Sequence, residues 1–419
     1  MMGRTLVARF KGELWLGSAT MLTPLISIVA NLIGAHYISP AEMGLFQTVM
    51  LITSYSAFFH CGVFNGFGRS LPISLGRGDN IKAQILLNSC WTTAKIVSAA
   101  DILLSTGIII YFAVHGYHAI YYWAMIAVLV LGALDPLSAP LDCVYRSCGR
   151  NKELGFRLAG QNAIALATGL LPCAFGLMGL VASRILQSIS RLILLLFRAP
   201  LKPKGRGTWD DTKHLARSGF PLLLAGTLYG YFSIADRSIV ASMMSLKDVG
   251  NLNLAGLVVN ALQFVPLSIS ALLYPRIGTQ YGRCGTSLGL RRYFWISLGL
   301  NLVAIVPMAA VAYFAIRPLT MAFLPKYSEG IAAAQIGSLG SIGFAFYGVS
   351  GIIAVVRRNT LYITFIACCL CAIWVLGAYL VKAGYGIEGV ALARAAGVWL
   401  LCLFTVPYAF YLTTQDIRA

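Results

Sequence analysis

The stretch "FGLMGLVASR" at 175–184 returns as "YGIEGVALAR" at 385–394. Each copy runs aromatic, Gly, aliphatic, then a further Gly, and closes on an Arg at its tenth place. Three shorter echoes accompany it. "GRN" at 149–151 aligns with "RRN" at 357–359, and "SPAEMGLFQTV" at 39–49 with "SLKDVGNLNLA" at 245–255. "LPISLGRG" at 71–78 resembles "YPRIGTQYGR" at 274–283. The offsets lie between 203 and 210 residues in a chain of 419, so the second half is a copy of the first. The glycines admit a tight turn into the following helix, and the Arg then falls within an apolar segment in both copies.

The class of protein follows from composition. The chain is 58% hydrophobic and 11% charged, whereas soluble domains carry about 25% charged residues. Apolar runs of about 20 residues, enough to cross a bilayer core as a helix, recur along the whole length. Lipid supplies no partner for bare backbone groups, so the spans are expected to be helices. No sustained ten-residue alternation points to an outer-membrane barrel. Twelve spans are expected, near 14–36, 42–66, 85–112, 119–146, 156–176, 178–198, 219–243, 250–276, 290–315, 331–355, 360–382 and 388–412. The expected fold class is therefore an all-α polytopic membrane protein of about twelve transmembrane helices in two six-helix lobes. The expected domains are an N-terminal lobe at 1–198, a cytoplasmic linker at 199–217 and a C-terminal lobe at 218–419. An even number of spans per copy gives both copies one orientation, which makes the repeat parallel.

The net charge of +18 reports topology and not nucleic-acid binding. Of 32 Lys and Arg, 24 fall in the N-terminal segment and alternate loops, among them Arg4, Arg9, Lys11, Arg77, Lys82, Arg357 and Arg418. The opposite loops hold four: Lys247, Arg317, Lys326 and Lys382. This bias obeys the positive-inside rule and puts both termini in the cytoplasm. The N-terminal "MMGRTLVARFKGELWLG" lacks a small-x-small cleavage site and leads straight into the first span. The ten cysteines are scattered without metal spacing and are expected to be small buried apolar residues.

Two motifs carry a resemblance to a known family. One is "SGFPLLLAGTLYGYFSIADRSIVASMMSLKDVGNLNLA" at 218–255, with its Asp-Arg pair and short acidic turn; the other is "YGIEGVALA" before the last span. With twelve spans and this length, the chain resembles the MOP superfamily, which groups oligosaccharide flippases, MATE exporters and lipid II flippases. It is most similar to the Wzx-type O-antigen and exopolysaccharide flippases. The resemblance implies a bacterial inner-membrane protein that moves a polyprenyl-diphosphate-linked oligosaccharide from the cytoplasmic to the periplasmic leaflet. It implies membrane lipids, a polysaccharide polymerase and chain-length proteins as partners. The alternative within the superfamily is a MATE-type cation-coupled drug or metabolite exporter. That antiporter would want a buried carboxylate in the first helix; here Glu13 stands only at its edge.

Polar stripes then mark the candidate site. Thr20, Thr23, Ser27 and Asn31 share one face of span one, as do Asp135, Ser138, Asp142 and Arg146 in span four. Span six carries Arg184, Gln187, Ser188 and Arg191, span seven Tyr229, Ser233, Asp236 and Arg237, and span eight Asn253, Asn260 and Gln263. A charge at membrane depth costs roughly 2.5–3.5 kcal/mol on insertion scales, so each needs a reason. Arg237, Lys95, Arg69, Arg276, Arg184 and Arg394, with Asn31 and Tyr229, are the candidate substrate-binding residues. Guanidinium forks suit diphosphate oxygens, and amides and tyrosines suit sugars. Asp236, Asp101 and Asp135 are the candidate carriers of a coupling H+ or Na+; no other cofactor and no metal is expected. Asp142 and Arg146, four apart, are expected to pair. Asp236 and Arg237 splay by about 100° on one helix and each needs a partner elsewhere. The five His are dispersed, with His115 and His118 in one loop, and no Walker motif is present. No enzyme is expected.

Overall fold

The computed structural model describes residues 20, 22–116, 119–284, 286–356 and 358–417. Arg4, Arg9, Lys11, Glu13, His118, Arg357 and Arg418 lie outside the described residues. Every regular element is helical: α1 (Leu22–Tyr37), α2 (Pro40–Ser56), α3 (Val63–Gly76), α4 (Asn80–Val114), α5 (Ala119–Ser147), α6 (Asn151–Thr168), α7 (Leu171–Leu196), α8 (Trp209–Met243), α9 (Leu246–Cys284), α10 (Arg291–Phe323), α11 (Ile331–Gly340), α12 (Tyr347–Val355), α13 (Asn359–Lys382) and α14 (Gly386–Thr414). A helix occupies each of the twelve expected spans. Eight helical stretches among the described residues are long and apolar enough to cross a membrane. The other four expected spans fall on α1, α2, α6 and α8, and α8 carries Asp236 and Arg237 within its length. Large apolar side chains such as Leu103, Val303, Phe314 and Val375 stand exposed, as lipid-facing positions do.

Three expected spans are not continuous, and one of them, 156–176, passes from α6 through a turn at Gly169 and Leu170 into α7. The span at 42–66 breaks after α2 into a 3-10 turn, Ala57–His60, and Cys61 and Gly62 then adopt φ of 45° and 87°. Gly62 lies against the backbone of Gly219 and Phe220, where a side chain has no room. The span at 331–355 is α11 and α12 joined by the 3-10 segment Ser341–Phe346. The two segments of the opening repeat share a backbone device. Gly176, inside α7, has φ 54°, and Gly386, at the start of α14, has φ 56°. Both values are in the left-handed region that favours glycine.

The described chain divides into two compact units, 20–38 with 49–227 and 39–48 with 228–417. In the first unit, α3, α4, α5 and the start of α8 enclose Phe67, Leu71, Leu87, Cys90, Val144 and Leu215. Residues 199–217 are only half a linker. Trp209 already begins α8, and the preceding loop is pinned along α4. Gln84 Nε2 donates to the Lys202 carbonyl (2.9 Å), Lys204 N to Asn88 Oδ1 (3.0 Å) and Gly207 N to Thr92 Oγ1 (3.0 Å). In the second unit, α9, α10, α12 and α14 enclose Ile277, Phe294, Val349, Ile352, Ile353 and Leu412.

The second unit also shows the repeat in miniature. Ser39 and Glu42 form a capping box at the start of α2, with Ser39 Oγ donating to Glu42 (2.7 Å). Ser245 and Asp248 form the same box at the start of α9 (2.6 Å). Gly44 sits against the Leu246 carbonyl, and its repeat equivalent Gly250 against the Pro40 carbonyl. A Cβ at either glycine would overlap that oxygen. Gln47 Nε2 donates to Oδ1 of Asn253, its own repeat equivalent, at 3.2 Å. The crossing is thus reciprocal, copy against copy.

Candidate functional site

In the second unit, α8 carries Asp236 and Arg237 on diverging faces, so they meet different neighbours. Asp236 is 2% exposed and accepts from the guanidinium of Arg394, on α14 and 7% exposed. Its other oxygen accepts from the backbone N–H of Arg237 at 2.9 Å. These two residues were expected in separate roles, one as a proton or sodium carrier and one as a substrate cation. They form one buried ion pair, because a lone charge at that depth is too costly to leave unpaired. Arg237 turns instead to α2, where Nη1 donates to Gln47 Oε1 at 3.2 Å. Gly256 of α9 leaves the space that its Nη2 fills. Among the described residues, Nε of Arg237, Nε of Arg394 and Nδ2 of Asn253 are buried without a partner, so the cluster holds donors in excess of acceptors there. It contains two guanidinium charges and one carboxylate. The pair lines a narrow cavity with Ala255, Gly337, Ser341 and Ala391.

Tyr229 lies about two turns before this cluster on α8. Gln263 of α9 donates to its hydroxyl at 2.8 Å and also to the Tyr347 hydroxyl of α12. The two rings meet edge to face, with centroids 6.1 Å apart. This places an amide between two tyrosine hydroxyls beside their rings, a combination suited to a polar, ring-shaped ligand.

In the first unit, the stripes of α5 and α7 meet. Ser188 donates to Asp135 at 2.7 Å, and Arg191 pairs with Asp142 at 2.5 Å. The Asp142 pairing therefore differs from the one expected within α5. Arg146 shares its helix face but stands exposed, whereas Arg191 reaches across the α5–α7 interface. Asp101 is buried against Ser56 and Gly132. Arg184 of α7 contacts Asn31 Oδ1 of α1 at 3.5 Å and makes no ion pair among the described residues. With Ser27, Gly169, Ser183 and Gln187 it lines a second cavity.

Three candidates stand apart from these clusters. Lys95 and Arg69 in the first unit and Arg276 in the second are exposed and unpaired among the described residues. Tyr347 and Gln47 were not singled out from sequence. Tyr347 lies in an apolar run, and Gln47 is a lone polar residue in another. The signal for Gln47 was its repeat equivalence to Asn253. Glu329, which binds Lys247 (2.6 Å) and Asn251 (2.7 Å), was missed likewise.

Residues 33–325 match the family described as "Polysaccharide biosynthesis protein". The chain belongs to that family. No curated protein sequence matches it significantly. Among solved structures, it resembles a multidrug resistance MATE family transporter of the MOP superfamily in an inward-facing conformation. That likeness has TM-score 0.74 and 12% identity, over 95% of this chain and 98% of that one. A MATE in the straight conformation follows at TM-score 0.67 and 12% identity, over 97% and 96%. An outward-facing MATE transporter of the same superfamily gives 0.61 and 12%, over 97% and 96%. This member of the polysaccharide biosynthesis family therefore shares its fold with MATE transporters.

Proposed function

We propose that this polysaccharide biosynthesis protein is a flippase. Its cargo is a polyprenyl-diphosphate-linked oligosaccharide, carried across the bacterial inner membrane for O-antigen or exopolysaccharide assembly. The observation that carries the reading is that Arg237 and Arg184 form no ion pair with a carboxylate among the described residues, whereas Asp101 and Asp135 stand apart from both. Arg237 holds only a neutral amide, Arg184 likewise, and Asp236 is already committed to Arg394. Helix α1 from Leu22 to Tyr37 carries no acid, where a cation exporter would need one. Local clusters of this sign attract an anionic headgroup, and low dielectric strengthens the attraction. The diphosphate binds guanidinium, the sugars lie against Tyr229, Tyr347 and their bridging Gln263, and the polyprenyl tail stays in lipid. The family and fold support transport by alternating exposure to the two sides, with no covalent chemistry by the protein. Both termini are cytoplasmic, and Asp101 or Asp135 carries the coupling H+ or Na+.

The test is a deletion strain of the source organism. Lipid-linked oligosaccharide is expected to accumulate on the cytoplasmic leaflet while surface glycan is lost. The intact gene restores both; an Arg237→Ala copy, inserted at normal level, does not. Normal glycan with raised sensitivity to cationic dyes would replace this reading with that of a drug exporter.

A further inference from the structure

The segment that joins α7 to α8 reads "FRAPLKPKGRGTW" at 197–209, with four cations and no acid. Composition of this kind suits an untied linker. In the first unit, however, its backbone is held along its length. The Tyr145 hydroxyl donates to the Phe197 carbonyl at 3.0 Å. The Lys202 carbonyl, the Lys204 N–H and the Gly207 N–H are tied to Gln84, Asn88 and Thr92 of α4. Five residue steps of the segment thus run beside eight of α4, or about 12 Å of helix, so the chain is drawn out as a strap and not coiled.

Side chains alternate along a drawn-out backbone. Leu201 packs onto the core between α3, α4 and α5, and Pro203 is half-buried. Gly207 lies so close to Ser89 that a Cβ would overlap the Ser89 backbone. Lys202, Lys204 and Arg206 fall between these anchors and are exposed, about 5 Å apart along the strap. None of the three forms an ion pair among the described residues. The first acids come only after the strap, and Asp211 is engaged there with the Thr208 hydroxyl. An exposed aromatic ring stands at each end, Phe197 at 61% and Trp209 at 77% exposure. Arg198, also exposed, lies over the Phe197 ring.

Aromatic side chains favour the headgroup level of a bilayer, and basic segments beside a span are drawn to anionic lipid of the cytoplasmic leaflet. The charge bias of the loops assigns this segment to that side. A row of cations between two aromatic rings therefore matches a plane of lipid phosphates. A topology signal needs only charge; here the backbone ties also fix where the charges stand, and so remove much of the ordering cost that a loose basic tail meets on binding. We propose that residues 198–206 form a preformed basic strap that binds the headgroups of anionic phospholipids, such as phosphatidylglycerol, at the membrane surface beside the first unit. The ligand is bulk membrane lipid and not transported cargo, so this binding does not depend on the flippase reading.

The test is native mass spectrometry of the full-length protein, titrated with dioleoyl-phosphatidylglycerol or with dioleoyl-phosphatidylcholine. The wild type is expected to favour phosphatidylglycerol about tenfold or more, since each cation near the surface contributes roughly a fivefold factor. Lys202→Gln combined with Lys204→Gln and Arg206→Gln is expected to lose most of that preference; all three side chains are exposed, so the fold is spared. Arg283→Gln combined with Arg292→Gln and Arg358→Gln, which removes three exposed cations of the second unit, is expected to keep it. Asn88→Ala combined with Thr92→Val keeps every cation but unties the strap, and is expected to weaken phosphatidylglycerol binding about threefold or more. Equal wild-type affinity for the two lipids, an undiminished preference in the strap variant, an equal loss in the second-unit variant or an unchanged affinity in the untied variant overturns the proposal. A strap variant that keeps its lipid preference but loses a poly-glutamate peptide bound by the wild type would give the row to an acidic protein segment instead.

Discussion

Removing Arg394 strands Asp236. That carboxylate is 2% exposed and would keep only one donor, the Arg237 backbone N–H. Breaking a buried pair by deleting one partner typically costs about 3–5 kcal/mol, because a charge is left without compensation. For a unit of this size each kcal/mol moves the midpoint by about 2–4 °C, so Arg394→Gln should fall by about 6–20 °C. Asp236→Asn should fall by a similar amount, since it leaves a guanidinium behind. The double variant Asp236→Asn with Arg394→Gln removes both charges and keeps two amides of matching shape. It should return to within about 2 kcal/mol of the parent, because a buried pair contributes little net stability over a neutral replacement. The assay is a double-mutant cycle on thermal midpoints of the purified protein. Single variants within a degree or two of the parent, or a double variant equal to the sum of the singles, would refute the reasoning and show that the pair is not buried as described.

Two further expectations come from other parts of the fold. Gly44→Ala and Gly250→Ala each place a Cβ onto the carbonyl of Leu246 or Pro40, and the contact is reciprocal. Both should lose a similar 1–3 kcal/mol, roughly the range for overpacking; unequal thermal losses would show that the crossing is not symmetric. Cys173, in the first turn of α7, and Cys284, the last residue of α9, are both exposed and fall near opposite sides of the expected topology. A membrane-impermeant maleimide should label Cys173 from outside intact spheroplasts and Cys284 only after lysis; the reverse would invert the orientation.

Much of this protein was legible one segment at a time. Hydropathy is a property of each run, so the membrane class and the helical character of the twelve expected spans needed no knowledge of packing. The repeat survived in residues that backbone geometry constrains: Gly176 and Gly386 share a left-handed φ, and Gly44 and Gly250 share a crossing too close for a side chain. Helical periodicity also grouped Asp135 with Asp142, and Arg184 with Ser188 and Arg191, on the faces that meet in the structure.

Periodicity names a face but not the helix opposite it, and there the tertiary structure decided. Asp142 takes Arg191 from α7 over Arg146 on its own helix. Asp236 takes Arg394, 158 residues away, and so leaves the group of free acids. Residues 203–207 lie along α4 because Asn88 and Thr92 accept their backbone N–H groups, a match between distant polar atoms that composition does not encode. Lys95, Arg69 and Arg276 were candidate substrate cations beside Arg237, yet of these four only Arg237 is held in a buried polar cluster. The sequence by itself determined which segments are helices in lipid, that one half copies the other, and where charge is placed along each helix. Only the tertiary structure decided which charges neutralise one another, because that depends on angstrom-scale approach between helices far apart in the chain.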